Sequence, residues 1–346
     1  MLMLVWISSI ALAAAAFLVL GVLVVLRLLH ERGNRRAAQQ RRQVMSALIR
    51  FSDDDDRGAL LGALRPIRQS VIATAGFEFL EMLRGEERER IEAVFAKVGL
   101  PAFIRHRLRR GNEAERIHAT EMLAAFPGAE SVRSLETALR ADRAREVRIA
   151  AAIALSRLAA LPALDATLSS IGPRGQRSRR LVDLFPSLPP ARAGELAAYA
   201  SGTHHPSFIR AAAIDALSSS SGLRLLALFD RLAEDAAPEV AAAAIRALGR
   251  CGHPTAYPTL LAAMRSPDWE IRTEAAEAAG RMALERAVEP LSRLLADSEW
   301  SVRYAAGRSL KALGPPGLAQ LRRMAQDDGS RCQRTASMVL AEGQIR

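Results

Sequence analysis

Two stretches decide the fold, IRTEAAEAAGRM at Ile271–Met282 and VRYAAGRSLKAL at Val302–Leu313. They are copies of one pattern. Three more copies lie upstream: VAAAAIRALGRC from Val240, IRAAAIDALSSS from Ile209 and VRIAAAIALSRL from Val147. From Val147 onward the successive copies are separated by 62, 31, 31 and 31 residues. A fixed period of this length is the sequence signature of a repeat architecture.

The first step is twice 31, so one degenerate unit is expected near Ser178. Weaker matches at Ile117 and Cys332 extend the register by 30 residues on each side. The sequence therefore predicts about eight units between Leu100 and Arg346.

Each copy reads as one amphipathic helix, because its apolar residues recur at offsets 0, 3, 4 and about 8. A second apolar helix precedes it, as in LSRLLAD from Leu291 and LLAAMRS from Leu260. Only 5% of the chain is aromatic, and Ala and Leu supply most of the apolar content, which favours helices over strands. A lone hairpin cannot bury its apolar face, so neighbouring hairpins are expected to stack around one continuous core.

An acidic residue lies six positions before the arginine of two copies: Asp142 before Arg148 and Asp297 before Arg303. The same place is held in other units by Asp235, Asp327, Ser266 and His204. An Asp, five residues, then Val-Arg and an alanine-rich helix resembles the HEAT repeat, in the short bacterial form also seen in bilin-lyase-like proteins. The resemblance covers residues 100–346 and implies an all-α, right-handed superhelical solenoid. It implies that the Asp caps the second helix and that the arginine bonds an acidic neighbour.

The N-terminal residues predict a transmembrane helix. Leu2–Leu26 carries no charge and would span about 37 Å as a helix, enough for a bilayer core of about 30 Å. Arginines follow at once: Arg27, Arg32, Arg35, Arg36, Arg41 and Arg42. The positive-inside rule places that flank in the cytoplasm and the N-terminus outside. These arginines are expected to meet anionic headgroups.

We therefore expect four segments: a membrane anchor at 1–27, a basic juxtamembrane helix at 28–51, a divergent helical cap at 52–99 and the solenoid at 100–346. The chain would lie in a bacterial inner membrane with its repeats in the cytosol. Within the cap, helices are expected at Arg57–Leu64, Ile67–Leu83 and Glu87–Val98.

Two local features are candidate contacts for a partner or an anion. The degenerate unit carries Arg174, Arg177, Arg179 and Arg180 with no acid among residues 172–180. This run could bind a phosphate, an acidic protein or a headgroup, or could be a solvated turn. Trp269 and Trp300 occupy equivalent positions 31 residues apart. We expect each to pack on its neighbouring repeat; if they are exposed, they become anchors for a partner.

Other polar clusters receive plainer interpretations. Asp53–Asp56 fails the calcium-loop pattern, because Leu64 stands where the twelfth-position Glu would be, so we interpret it as a helix N-terminus. His204, His205 and His253 are interpreted as turn histidines. No metal, cofactor or catalytic constellation is expected, since the common motifs for nucleophilic, zinc or phosphate chemistry are absent from the sequence.

The function these features favour is a non-enzymatic scaffold that binds a protein partner at the membrane, perhaps within an envelope or exopolysaccharide system. An alternative from the resemblance alone is a bilin-lyase-like, ligand-handling enzyme. The net charge of +11 gives little support to nucleic-acid binding, because +6 of it lies in residues 1–50. The identity of the partner, the face used and the oligomeric state are left open by the sequence.

Overall fold

The computed structural model describes residues 20, 36, 38–52, 56–172, 179–326 and 331–342, and within them it is helical with no strand. It divides into two compact units, Met1–Leu135 and Glu136–Arg346. The first unit holds α1 (38–52), α2 (Arg57–Leu64), α3 (Gln69–Met82), α4 (Gly85–Lys97), α5 (Leu100–Arg110) and α6 (Glu113–Leu123). Helix α7 (Ala129–Ala141) crosses the division.

The second unit continues with α8 (Arg145–Arg157), α9 (Leu164–Ile171), α10 (Arg179–Leu184), α11 (Ala193–Ser201), α12 (Ser207–Ser221), α13 (Leu226–Leu232) and α14 (Pro238–Cys251). It ends with α15 (Tyr257–Ala263), α16 (Trp269–Arg281), α17 (Val288–Leu294), α18 (Trp300–Ala312), α19 (Pro315–Met324) and α20 (Arg331–Ala341). The pairs from α5–α6 to α19–α20 are the eight predicted hairpins. The degenerate unit is α9–α10.

The first unit confirms the three helices expected in the cap, which form α2, α3 and α4. Asp56 caps α2, because its Oδ1 accepts the backbone N–H of Gly58 at 2.9 Å and of Ala59 at 3.0 Å. The interpretation of the Asp run as a helix start is therefore confirmed at Asp56. Helix α1 buries Val44 and Leu48, while its Arg41 pairs with Glu78 of α3.

The predicted membrane span, Leu2–Leu26, lies outside the described residues except for Leu20. Within the described ranges, no helix has both the length and the apolar character needed to cross a bilayer.

In the second unit, the second helices of successive hairpins stack on one another. Helix α14 packs against α12 and α16, and α18 packs against α16 and α20. The layer is tight because the buried positions are small: Ala241–Ala244 of α14 are all buried. Glycines permit the closest approaches. A Cβ on Gly249 would lie 2.5 Å from the Cβ of Ala278, and one on Gly280 would lie 2.9 Å from the Cα of Ser309.

Arginines of the second helices clamp adjacent hairpins together. Arg272 donates from Nε and Nη2 to both carboxylate oxygens of Asp297, at 2.7 and 2.9 Å. Arg210 makes the same paired contact with Asp235, and both of its partners are almost fully buried. Each arginine therefore reaches the acidic position of the next hairpin, 25 residues on. The expected arginine–acid ladder is confirmed and placed between units.

The capping role expected for the acidic position is corrected. Asp142, Asp235 and Asp297 each lie three residues before their helix, and each accepts the backbone N–H of the residue two positions on. That N–H belongs to the residue that precedes the helix, so the contact forms an Asp turn instead of capping the first helical turn. The arginine six residues later donates to the backbone carbonyl of the same position, as Arg303 does to Asp297 at 2.8 Å.

Candidate functional site

A groove of about 530 Å³ opens across the N-terminal halves of the second helices α12, α14 and α16. We call it the α12–α16 groove. Its apolar lining comes from Val182, Phe208, Ala211, Ala212, Ala242 and Trp269. Its polar lining comes from Asp215, Glu239, Arg246, Glu270, Thr273 and Glu274.

The repeat register explains why the space is open. Ala211 and Ala242 occupy equivalent positions one repeat apart, and their short side chains leave the helix surfaces uncovered. Trp269 is the first residue of α16, where the chain leaves the turn after Ser266. Its side chain is 43% exposed, so the groove has a large aromatic surface that the fold itself does not cover.

One arginine ties the groove together across three repeats. Arg246 of α14 donates from Nη1 to Asp215 of α12 at 2.6 Å and from Nε to Glu274 of α16 at 2.9 Å. Arg250 adds a 3.0 Å contact to Asp215. Burial opposes the charge on Arg246, but Asp215 and Glu274 outweigh it and raise the pKa of this guanidinium. The network sets the spacing of α12, α14 and α16 beside the groove.

Glu274 is the unusual member of this network. Its register positions in the neighbouring repeats hold Ala212, Ala243 and Ala305. Burial raises the pKa of the Glu274 carboxyl, and Arg246 offsets only part of that rise. Arg246 occupies Oε1, while Oε2 is buried and has no hydrogen-bond partner. A desolvated acceptor therefore faces a groove without its full set of bonds.

A second aromatic feature lies on α18. Trp300 is 54% exposed and stacks on Tyr304 with ring centroids 5.0 Å apart. Arg308 lies over the other end of this pair, 5.9 Å from the Tyr304 ring. A smaller cavity of about 220 Å³ between α16 and α18 is lined by Tyr304 and Arg308. The aromatic surface thus continues from the groove onto the next repeat.

The expectation that both tryptophans pack on a neighbouring repeat is wrong, because both are among the exposed large apolar side chains. They start their helices at the first position, where the side chain projects beyond the alanine layer that buries the rest of each helix. The alternative in the sequence analysis, two exposed aromatic surfaces, describes them correctly.

The arginines predicted in the degenerate unit are only partly placed. Arg174 and Arg177 lie outside the described residues, and Arg179 begins α10. Arg180 lies 3.9 Å from Glu146 of α8, so it contacts an acid of the preceding hairpin. Of the arginines predicted at the membrane surface, Arg27, Arg32 and Arg35 are outside the described ranges, while Arg36 and Arg42 are exposed.

The histidine pair is less solvated than its turn position suggests. His205 stacks on Tyr199 with ring centroids 3.7 Å apart, and burial and the neighbouring His204 lower the pKa of His205. His253 is exposed and bonds Thr255 at 2.8 Å. Across the described part of the chain, no group of three or more His, Cys, Asp or Glu side chains is placed to hold a metal ion.

Sequence reasoning missed Asp215, Arg246 and Glu274. A signal for Glu274 existed, since aligning the copies sets one carboxylate against three alanines in an otherwise apolar column. Its pairing with Arg246 could not be found that way, because the two residues are 28 positions apart and meet only once α14 and α16 are stacked.

Taken together, stacked hairpins and an open groove across their second helices define an α-helical repeat protein. The family model for HEAT repeats matches residues 225–311, which contain the hairpins from α13 to α18. The chain therefore carries HEAT repeats in this stretch. No curated protein matches the sequence.

Several solved structures are similar to the chain in fold. An engineered protein shares 17% identity over 86% of this chain and 98% of its own, with a TM-score of 0.35. Kap121p shares 15% identity over 89% of this chain, with a TM-score of 0.43, and the match spans 41% of Kap121p. Human deoxyhypusine hydroxylase in complex with glycerol shares 16% identity over 80% of this chain and 99% of its own, with a TM-score of 0.30.

Proposed function

We propose that this protein is a non-enzymatic scaffold whose repeat array binds a protein partner across the second helices α12–α18. One observation carries the proposal: Trp269 and Trp300 expose aromatic surface at equivalent positions of adjacent repeats. Exposed, clustered aromatic side chains are characteristic of binding surfaces, and tryptophan is enriched among the residues that dominate binding energy. HEAT repeats in the same stretch support an interaction role.

We further propose that residues 2–26 anchor the scaffold in a bacterial inner membrane with the repeats in the cytoplasm. The uncharged run and the arginines after it support this topology. A partner in an envelope or exopolysaccharide system would fit such a location. Membrane fractions washed with alkaline carbonate should retain the full chain, and protease added to spheroplasts should leave the repeats uncut. Release by carbonate would contradict the anchor.

The binding role is tested by crosslinked pull-down of the full-length protein from detergent-solubilised membranes, read by mass spectrometry. We expect a partner that is recovered with wild type, is absent with a bait of residues 1–50, and is lost from the Trp269→Ala/Trp300→Ala variant. Leu223→Ala is the matched control, since Leu223 is an exposed apolar side chain outside the groove. Equal recovery with the double tryptophan variant and wild type would refute the proposal.

A further inference from the structure

The α12–α16 groove has an acidic character that the rest of the repeat surface does not require. Among the described residues that line it, four side chains are acidic, Asp215, Glu239, Glu270 and Glu274, and Arg246 is the basic one. Arg246 is already bonded to Asp215 and Glu274, so its charge is committed within the fold. The groove therefore presents net negative charge to whatever enters it.

The arrangement of the carboxylates adds a direction to this charge. Glu274 keeps one oxygen on Arg246 and leaves Oε2 buried without a partner. Leaving a desolvated carboxylate oxygen unbonded is costly, and a donor brought by a ligand would remove that cost. A positively charged N–H donor would remove more of it than a neutral one, because charge-assisted hydrogen bonds are the stronger kind.

The apolar wall suits the same type of group. Trp269 exposes its ring beside the acidic side chains, with Phe208 and Ala242 also lining the groove. An aromatic face attracts an alkylammonium or guanidinium group, and it also covers the methylene stem of a lysine or arginine. An anionic ligand would meet the uncompensated carboxylates, so charge complementarity excludes it.

We infer that the α12–α16 groove takes an arginine or lysine side chain of a partner protein, with its charged head at Glu274 and its stem along Trp269. The inference rests on the proposed scaffold function and names the chemistry of the bound segment. The occupant is a basic segment of another protein, and the groove volume of about 530 Å³ accommodates a short stretch of such a chain.

The test uses the full-length protein in a non-ionic detergent and two labelled short peptides. Arginine alternates with alanine in one peptide and glutamate replaces the arginine in the other. Fluorescence anisotropy should show binding of the arginine peptide that weakens at high salt, and no binding of the glutamate peptide. Lysine in place of arginine separates a guanidinium preference from simple charge attraction.

Glu274→Gln is the decisive variant. The glutamine retains the side-chain shape and an oxygen for Arg246, and it places an amide N–H₂ where the open acceptor was. We expect affinity for the arginine peptide to fall about tenfold or more, with Trp269→Ala giving a similar loss. Glu289→Gln is the matched control, because Glu289 is an exposed acid on the first helix α17, outside the groove. Thermal melts of each variant establish that it is folded.

Binding of the arginine peptide that is unchanged by both groove variants would overturn the inference, as would equal binding of the glutamate peptide or no binding of either. The membrane pull-down separates this failure from failure of the scaffold role. A partner lost with Trp269→Ala/Trp300→Ala but retained with Glu274→Gln would leave the scaffold standing and remove the cationic contact.

Discussion

At the scale of single residues, the clamp between Arg272 and Asp297 joins two hairpins by a paired hydrogen bond. The side chains are only 13% and 9% exposed, so loss of either partner strands a charge in a desolvated place. We expect Asp297→Asn to lower the free energy of unfolding by roughly 2–3 kcal/mol in urea denaturation. Glu289→Gln, which breaks the exposed pair with Arg293, should cost at most about 1 kcal/mol.

The same clamp makes stability depend on pH. Burial works against ionisation of Asp297, but hydrogen bonds from Arg272 and the Glu299 amide outweigh it and hold its pKa below the ordinary 3.8. Asp235 is lowered in the same way by Arg210. A carboxyl with a lowered pKa stabilises the fold above its unfolded pKa, and that contribution is lost as pH falls through the folded pKa. Thermal melts should therefore lose stability steeply below about pH 3.8, and Asp297→Asn should flatten the curve.

At the scale of elements, glycine sets the distance between stacked helices. Gly249 of α14 faces Ala278 of α16, and a Cβ there would lie 2.8 Å from the Ala278 Cα, which is backbone and cannot turn aside. Although alanine has the higher helix propensity, Gly249→Ala should destabilise the protein by roughly 1–3 kcal/mol because α14 and α16 must separate.

Gly62→Ala is the matched control for that substitution. Gly62 lies within α2, and an added Cβ would have no neighbour within 4 Å. Only the propensity gain remains, so this variant should be stabilised by up to about 1 kcal/mol. If both variants shifted the urea midpoint in the same direction, close approach of α14 and α16 would not be the controlling factor.

The exposed tryptophans are also a property of their helices. Each begins a second helix and projects beyond the alanine layer, so its removal deletes little buried surface. We expect Trp269→Ala/Trp300→Ala to change stability by no more than about 1 kcal/mol while abolishing partner recovery. Thermal melts alongside the pull-down check this separation. A collapse of stability would assign the tryptophans to packing.

At the scale of the whole molecule, a repeat chain does not share its stability evenly. Helices α14 and α16 each pack between two other second helices, whereas α10 has only six residues, Arg179–Leu184. Hydrogen exchange followed by mass spectrometry should therefore show α14 and α16 exchanging far more slowly than α9–α10. Equal protection across these hairpins would mean that the array unfolds as one cooperative block.

The sequence by itself determined the helical class, the 31-residue period and the eight hairpins, because those depend on local propensity and on which faces are apolar. It also placed the cap helices α2–α4 and singled out Trp269 and Trp300. The membrane anchor and the cytosolic location stay predictions, since Leu2–Leu26 lies outside the described residues apart from Leu20.

Only the tertiary structure decided which side chains meet. Asp297 binds the arginine of the preceding hairpin, Asp142 forms a turn where a cap was expected, and Trp269 lies exposed beside Glu274 in one groove. Arg246 joins residues 31 positions before it and 28 after it. Such contacts depend on the rotation and spacing of stacked helices, which the close approach at Gly249 and Gly280 sets and which no periodicity along the chain encodes.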